Sequence, residues 1–254
     1  SYKFYDPNAK GEQNLQSTIL ALKKAVEMNV DLINYSGGGP EPSYEELQIL
    51  QEAQRKGILI IVAAGNEKSN LNQSKNAYFP ASYNLDNIIV VGAHDQEENK
   101  IVSSNWGDIV DIYAPGFKIK SSIPHRGEGY MTGTSQATAF VSGYVSLLMS
   151  LYPKYDYKTI KNILYKYNRK YSEKMFDGKK LPILSMKNGI DRTISSKKKD
   201  HFLLVKTDVD TDIDIKKDSH QKESFDKKDT IIHNVMLTLF FLGLFFLLII
   251  MIIF

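Results

Sequence analysis

Apolar positions recur along residues 1–192 with two different periods, and the two take turns. From Ser17 to Met28, the residues Ile19, Leu20, Leu22, Ala25, Val26 and Met28 fall mostly on one face of a helix. Asp31–Ser36 (DLINYS) then reads as a short strand running into Gly37, Gly38 and Gly39. A second amphipathic helix is predicted from Ser43 to Arg55, with Ser43 as N-cap, Glu46 three residues on as the partner in a capping box, and Gly57 ending it. Ile58–Ala63 (ILIIVA) is nearly all apolar, as a strand buried on both faces should be, and Ile88–Val91 repeats the pattern. A short strand over Ile119–Ile123, a glycine-rich loop, a long helix from Ser135 to Leu151 and a further helix from Tyr157 to Tyr167 complete the series. Strands alternating with helices predict an α/β fold, a parallel sheet flanked by helices.

The pattern changes after Arg192. Residues 193–230 are crowded with Lys, Asp and Ser and predict a polar, charged stalk, with HFLLV at 201–205 as an isolated strand. Residues 231–254 predict a transmembrane helix. Within them the twenty residues 235–254 (VMLTLFFLGLFFLLIIMIIF) carry no charge, and as a helix they would span about 30 Å, the thickness of a bilayer core. The expected partners are therefore a lipid bilayer through residues 235–254 and, for 1–192, whatever its chemistry selects.

Composition narrows that chemistry. A net charge of +3 over 254 residues gives no general electrostatic case for nucleic-acid binding. The absence of cysteine excludes disulfides, thiolate metal sites and a cysteine nucleophile. The opening SYKFYDPNAKG has neither an initiator Met nor an apolar leader, so residue 1 is expected not to be the native start.

Gly133-Thr134-Ser135 opens the long predicted helix. A serine in a first turn lies near unpaired backbone N–H groups and the positive end of the helix dipole. That suits a nucleophile, and equally a plain N-cap. Ala137, Ala139 and Gly143 keep the helix thin enough to sit deep against a sheet. Asn66 follows the strand 58–63 through Ala64 and Gly65. Beyond the C-terminal end of a parallel strand, its amide can donate to an oxyanion, or the residue can simply serve a left-handed turn.

INYSGGG (33–39), VAAGN (62–66), YFPAS (78–82), APG (114–116) and GTSQATAFVSG (133–143) stand in the order and approximate spacing of the subtilisin-like serine proteases, and residues 1–190 resemble the C-terminal part of that family's catalytic domain. The resemblance implies a serine endopeptidase acting on peptides or proteins and needing no cofactor. Ser135 matches the nucleophile and Asn66 the oxyanion-hole side chain. Ser36, Gly37 and Gly38 match the segment that pairs with a peptide substrate as an added strand. Ala63, Ala64 and Gly65 match a wall of the main specificity pocket. Their small size predicts an open pocket that takes a large apolar side chain. The carbonyls of Ala81 and Tyr83 match a weak cation site, so a structural calcium is a further expectation. DVDTDIDIKKD (208–218) has the two-residue Asp spacing of calcium loops, and also suits a polar-faced strand.

Two departures stand out. Ala139-Phe140 occupies the place of the family's Pro-His, where alanine is the better helix former. Further, no Asp-Thr-Gly-like or His-Gly-Thr-His-like segment occurs, so the catalytic Asp and His are absent from this sequence. The five histidines (His94, His125, His201, His220 and His233) all follow Asn66, whereas the family's base precedes it. Without a base a serine hydroxyl is a poor nucleophile, and without the strands that carry the missing groups 1–192 is expected to be poorly stable. The expected whole is a single-pass membrane protein with its protease domain outside the cytoplasm, although Lys227 and Lys228 beside the helix run against the usual charge bias. Two alternatives remain: a non-catalytic peptide- or protein-binding module on a membrane, and a structural surface protein.

Overall fold

The computed structural model describes residues 11–123, 127–185 and 249–253. Helix α1 spans Gly11–Glu27 and leads to strand β1, Leu32–Ser36. Helix α2 (Tyr44–Arg55), strand β2 (Leu59–Ala63) and strand β3 (Ile88–His94) follow. After β4 (Ile112–Pro115), the hairpin β5 (Ile119–Ile123) and β6 (Gly127–Met131) stands apart as its own two-stranded sheet. Helices α3 (Thr134–Leu151) and α4 (Tyr157–Tyr167) come next, then β7 (Arg169–Phe176), β8 (Lys179–Leu184) and β9 (Ile249–Ile253).

The main sheet runs β7-β8-β4-β3-β2-β1-β9. All its neighbours are parallel except β7 and β8. The two-residue period of the strands sorts side chains to two cores. Ile33, Tyr35, Ile60, Val62, Ile88 and Val90 meet Ile19, Leu22 and Val26 of α1 and Leu50 and Ala53 of α2. Leu32, Leu59, Ile61, Ile89, Val91 and Ala93 meet Ala137, Val141, Val145 and Leu148 of α3. A sheet covered on both faces explains why ILIIVA carries no polar residue.

The expected helices and strands of 17–167 are present within a few residues. Four elements were not foreseen: β4, β6 and the pair β7/β8. The last two join through Asp177 and Gly178, both at positive φ (49° and 74°), the two-residue Asp-Gly hairpin turn. That signal stands in the sequence. Its flanks are largely exposed and charged, so they lack the apolar alternation that marks a strand.

The capping box at α2 forms only in half. Ser43 Oγ accepts from the Glu46 N–H at 3.2 Å, but the Ser43 N–H donates to the Tyr83 hydroxyl at 2.8 Å. The Glu46 carboxyl turns into the core instead, where the Tyr35 hydroxyl donates to it at 2.5 Å. The second half of the box is thus overridden by a tertiary partner that local sequence does not display.

The stalk (193–230), the strand at 201–205 and the Asp-rich stretch 208–218 lie outside the described residues, as does most of the predicted membrane helix, 231–248. Its last residues, Ile249–Ile253, form a strand here, not a helix end, paired in parallel with β1 from Leu32 to Ser36. The edge of β1 offers unpaired backbone groups, and the backbone of this segment pairs with them. Among the described residues, no helix is long and apolar enough to cross a membrane.

Candidate functional site

The site gathers where β1 and β2 end against the start of α3. The first turn of α3 is placed by its neighbours. The Gly133 N–H donates to the Gly116 carbonyl at 2.9 Å, and the Gly116 N–H donates to the His94 carbonyl at 3.0 Å. A Cβ on Gly116 would stand 2.7 Å from the Gly133 carbonyl oxygen and 2.6 Å from the Ala93 Cβ. The APG segment therefore ends in glycine because the helix start passes directly over it. Ala137, fully buried one turn on, lets α3 lie close to the sheet.

Ser135 occupies that first turn. Its hydroxyl donates to the Ser36 carbonyl at 2.8 Å, and the Ser36 hydroxyl donates back to the Ser135 carbonyl at 3.2 Å. Behind this exchange lies a relay. Ser142 Oγ donates to Asn34 Oδ1 at 2.7 Å, and Asn34 Nδ2 donates to Ser36 Oγ at 2.8 Å. Asn34, Ser36 and Ser142 are all buried. Buried neutral groups in a satisfied chain hold one geometry, because breaking any link leaves a polar atom unsolvated. Asn34 and Ser142 were not singled out in the sequence. An Asn in a strand whose other neighbours are apolar, and a Ser two turns after Ser135, were the available signals.

Asn66 comes from the loop beyond β2. Its Oδ1 accepts from the Thr134 N–H at 2.9 Å and from the Thr134 hydroxyl at 3.3 Å. A backbone N–H can only donate, so the oxygen of the amide is fixed toward Thr134. Nδ2 is then the end left to donate, and it makes no hydrogen bond among the described residues. The amide lies against Gly133, 3.3 Å (Oδ1) and 3.4 Å (Nδ2) from where a Cβ there would be. Sequence reasoning thus named two groups, Ser135 and Asn66, that the fold does bring to one helix start.

Ser36, Gly37 and Gly38 continue from β1 toward the same place. Gly39 forms an antiparallel bridge with Phe79, N–H to carbonyl at 3.0 Å and 2.8 Å. The backbone of Gly37 and Gly38 makes no hydrogen bond among the described residues, which leaves it open to an added strand. Ala63, Ala64 and Gly65 lie at the end of β2, Ala64 fully buried and Gly65 at φ 96°, a conformation that favours glycine.

An open pocket is expected beside Ala63–Gly65, but among the described residues that space is not empty. The ring of Tyr78 stands there. A Cβ on Gly38 would lie 2.6 Å from Tyr78 Cε1, and one on Gly65 would lie 3.0 Å from Tyr78 Cδ2. The small residues make room for a side chain from the chain itself. Spacing along the sequence does not show that YFPAS folds back across two separate segments.

No described residue supplies a base. The Ser135 hydroxyl is spent on a carbonyl, which does not accept a proton. His94 ends β3, buried, with Nδ1 at 2.7 Å from the Asp95 carbonyl and Nε2 without a partner. Burial holds it below the ordinary histidine range. His125 lies outside the described residues, as do His201, His220 and His233. Among the described residues no group of His, Asp or Glu is arranged to hold a metal. Ala81 and Tyr83, whose carbonyls were matched to a cation site, lie in one short 3-10 turn.

Comparison with known proteins places this geometry. A profile of the subtilase family matches residues 1–180. Subtilisin DY of Bacillus licheniformis is 32% identical over 157 residues, covering 62% of this chain and 56% of its own. The major intracellular serine protease of Bacillus subtilis is 34% identical over 140 residues, covering 55% of this chain and 43% of its own. The chain thus spans about half the length of these relatives, or less. Among solved structures, the prenylagaramide maturation protease PagA superposes with a TM-score of 0.61 at 29% identity, covering 70% of this chain and 67% of that one. A protease-domain structure of PatA superposes with a TM-score of 0.59 at 23% identity, a likeness of fold alone. With the family profile over residues 1–180 and the helix start, loop and strand of the site all in place, the chain belongs to the subtilase family of serine proteases.

Proposed function

We propose that the protein is a serine endopeptidase in which Ser135 is the nucleophile and Asn66 a donor of the oxyanion hole. The observation that carries this is the orientation of Asn66. Thr134 fixes its oxygen, so Nδ2 is presented unpaired beside the helix turn that holds Ser135. The Ser135 backbone N–H, at a helix start, is the second donor. A peptide laid along Ser36–Gly38 would pair with the backbone groups of Gly37 and Gly38, which make no hydrogen bond among the described residues. The Ser135 oxygen then bonds to the scissile carbonyl carbon and gives its proton to a base, negative charge passes to the carbonyl oxygen, and the C–N bond breaks as that proton moves to the departing amine, leaving an acyl-enzyme that water hydrolyses to the free acid and serine. Donors of this kind contribute roughly 3–4 kcal/mol to such a transition state, a magnitude known from a member of this same family.

The base that takes the Ser135 proton, and the carboxylate that orients it, come in this proposal from parts of the protein outside these 254 residues. The test is labelling of the full-length protein with a fluorophosphonate probe beside Ser135→Ala. We expect labelling of the wild type and none of the variant. Equal labelling of the two would remove Ser135 from the role. A second reading, a non-catalytic cleft that binds peptides, is favoured by one observation: the Ser135 hydroxyl is engaged by Ser36, with no base beside it among the described residues. Absence of labelling in the full-length protein would select it.

The uncharged residues 235–254 support a further part of the proposal, attachment to a bilayer with the protease domain outside the cytoplasm. The same residues cannot span a membrane as a helix while Ile249–Ile253 pair with β1. Resistance of the full-length protein to alkaline carbonate extraction is expected of the membrane form; release into the soluble fraction would sink it.

A further inference from the structure

We infer that Tyr78 sets the specificity of the cleft by filling its main side-chain pocket, and that the residue just before the scissile bond must be small: Gly, Ala or Ser. This rests on the proposed function, with Ser36–Gly38 as the substrate-pairing strand and Ala63–Gly65 as a wall of that pocket.

The geometry leaves the ring between that strand and that wall. Cε1 and Cζ of Tyr78 face Gly38, 2.6 Å and 3.0 Å from the position of a Cβ there. On the other side Cδ2 faces Gly65 at 3.0 Å by the same measure. Other atoms stand nearer still to those positions, the Phe79 carbonyl oxygen at 2.2 Å for Gly38 and Glu67 Oε2 and Asn105 Nδ2 at 2.4 Å and 2.5 Å for Gly65, so the ring is one of several groups packed against both glycines. The ring touches strand and wall, so the gap between them is one aromatic ring wide and is taken.

Its backbone is also held. The Tyr78 N–H donates to Ser82 Oγ at 3.0 Å, and the Tyr78 carbonyl accepts from the Ser82 N–H at 2.8 Å. The next residue, Phe79, is bridged to Gly39 at 2.8 Å and 3.0 Å, and its ring packs on Tyr83 with centroids 4.8 Å apart. The segment that carries the ring is thus tied to the substrate strand itself. A phenyl or isobutyl group could enter only by driving the phenol out, and a well-packed site resists that kind of overfilling. Methyl and hydroxymethyl groups ask for no such room. Burial, and secondarily the charge of Glu67, also push the Tyr78 hydroxyl well above its ordinary pKa. The ring is therefore neutral at every relevant pH, and the restriction should not depend on pH.

The test measures binding, so it does not depend on turnover. Full-length protein carrying Ser135→Ala is titrated with two peptides, acetyl-Ala-Ala-Pro-Ala and acetyl-Ala-Ala-Pro-Phe, by calorimetry. Each is read alone and with Tyr78→Gly, Tyr78→Ala or Tyr78→Phe added. The Ala-terminated peptide is expected to bind about tenfold or more tightly than the Phe-terminated one, the range that a filled apolar pocket discriminates. Tyr78→Phe keeps that ratio, because the ring remains. Tyr78→Gly and Tyr78→Ala reverse it by a similar factor. The inference is overturned if the Phe peptide binds as tightly as the Ala peptide before Tyr78 is changed. It is equally overturned if removing the ring leaves the ratio where it was, or if neither peptide binds any of the proteins. Should the Gly and Ala variants not fold, the ratio in the parent protein and in Tyr78→Phe still decides. Fluorophosphonate labelling reports on Ser135 alone. Labelling with no peptide preference would sink this inference and spare the catalytic reading; a reversed preference without labelling would do the opposite.

Discussion

The two faces of β1 carry two buried polar networks of different character. Toward α3, Asn34 and Ser36 join Ser142 and Ser135 in a chain of neutral amide and hydroxyl groups. Toward α2, Tyr35 meets the carboxyl of Glu46, which is 2% exposed. The first network ends at the candidate nucleophile. The second ends at Ser43, the cap of α2, through Tyr83, whose hydroxyl donates to the Ser43 carbonyl at 2.9 Å. One strand of five residues thus positions chemistry with one face and anchors a helix with the other. Neutral groups hold a geometry over a wide range of pH. A buried carboxyl does not, because its charged form is poorly solvated.

That contrast can be broken by experiment. Asn34→Leu should have the largest effect. It leaves Ser142 Oγ and Ser36 Oγ each short of a partner in a dry site, at roughly 1–3 kcal/mol apiece, so a loss of about 3 kcal/mol is expected in chemical denaturation. Fluorophosphonate labelling of Ser135 should slow with it. Tyr35→Phe should cost about 2 kcal/mol, the range for a hydrogen bond to a charged group, yet leave the labelling rate unchanged. Equal slowing by both substitutions would show that the two faces do not act separately. Ser142→Ala removes the far end of the relay and should cost about 1 kcal/mol, with a labelling rate between those of wild type and Asn34→Leu.

Glu46→Gln should have the smallest effect and the most telling pH dependence. Burial raises the Glu46 pKa above its ordinary value, against the lowering effect of its bonds to Tyr35 and Tyr83. A carboxyl raised on folding contributes stability that is fully present below its unfolded pKa and is lost as pH rises through the folded value. Glutamine keeps an oxygen for the Tyr35 hydroxyl and has no charge to bury. The variant should therefore melt above the wild type at neutral pH, and the difference should close as pH falls toward the ordinary carboxylate range. A difference in melting temperature that stays constant from pH 4 to 8 would mean that Glu46 is not the titrating group.

What the sequence determined alone was local and periodic. The run ILIIVA and the α1 stripe specify a buried strand and an amphipathic helix wherever they occur, since burial on two faces or one is written in the spacing of apolar residues. Ser135 and Asn66 were legible through the ordered motifs that resemble the family; alone, a helix start and a strand end suited an N-cap and a turn as well. Tertiary structure decided what meets what. Asn34 and Ser142 read as ordinary polar residues until β1 and α3 bring them within hydrogen-bonding distance, 108 residues apart in the chain. Glu46 read as a cap until Tyr35 drew its carboxyl inward. Gly65 read as the lining of an open pocket, and Gly38 as part of a substrate strand, until the Tyr78 ring was found beside both. The reason is common to all three. Periodicity records which side of an element is buried, whereas the identity of the neighbour is fixed only when distant segments close on one another.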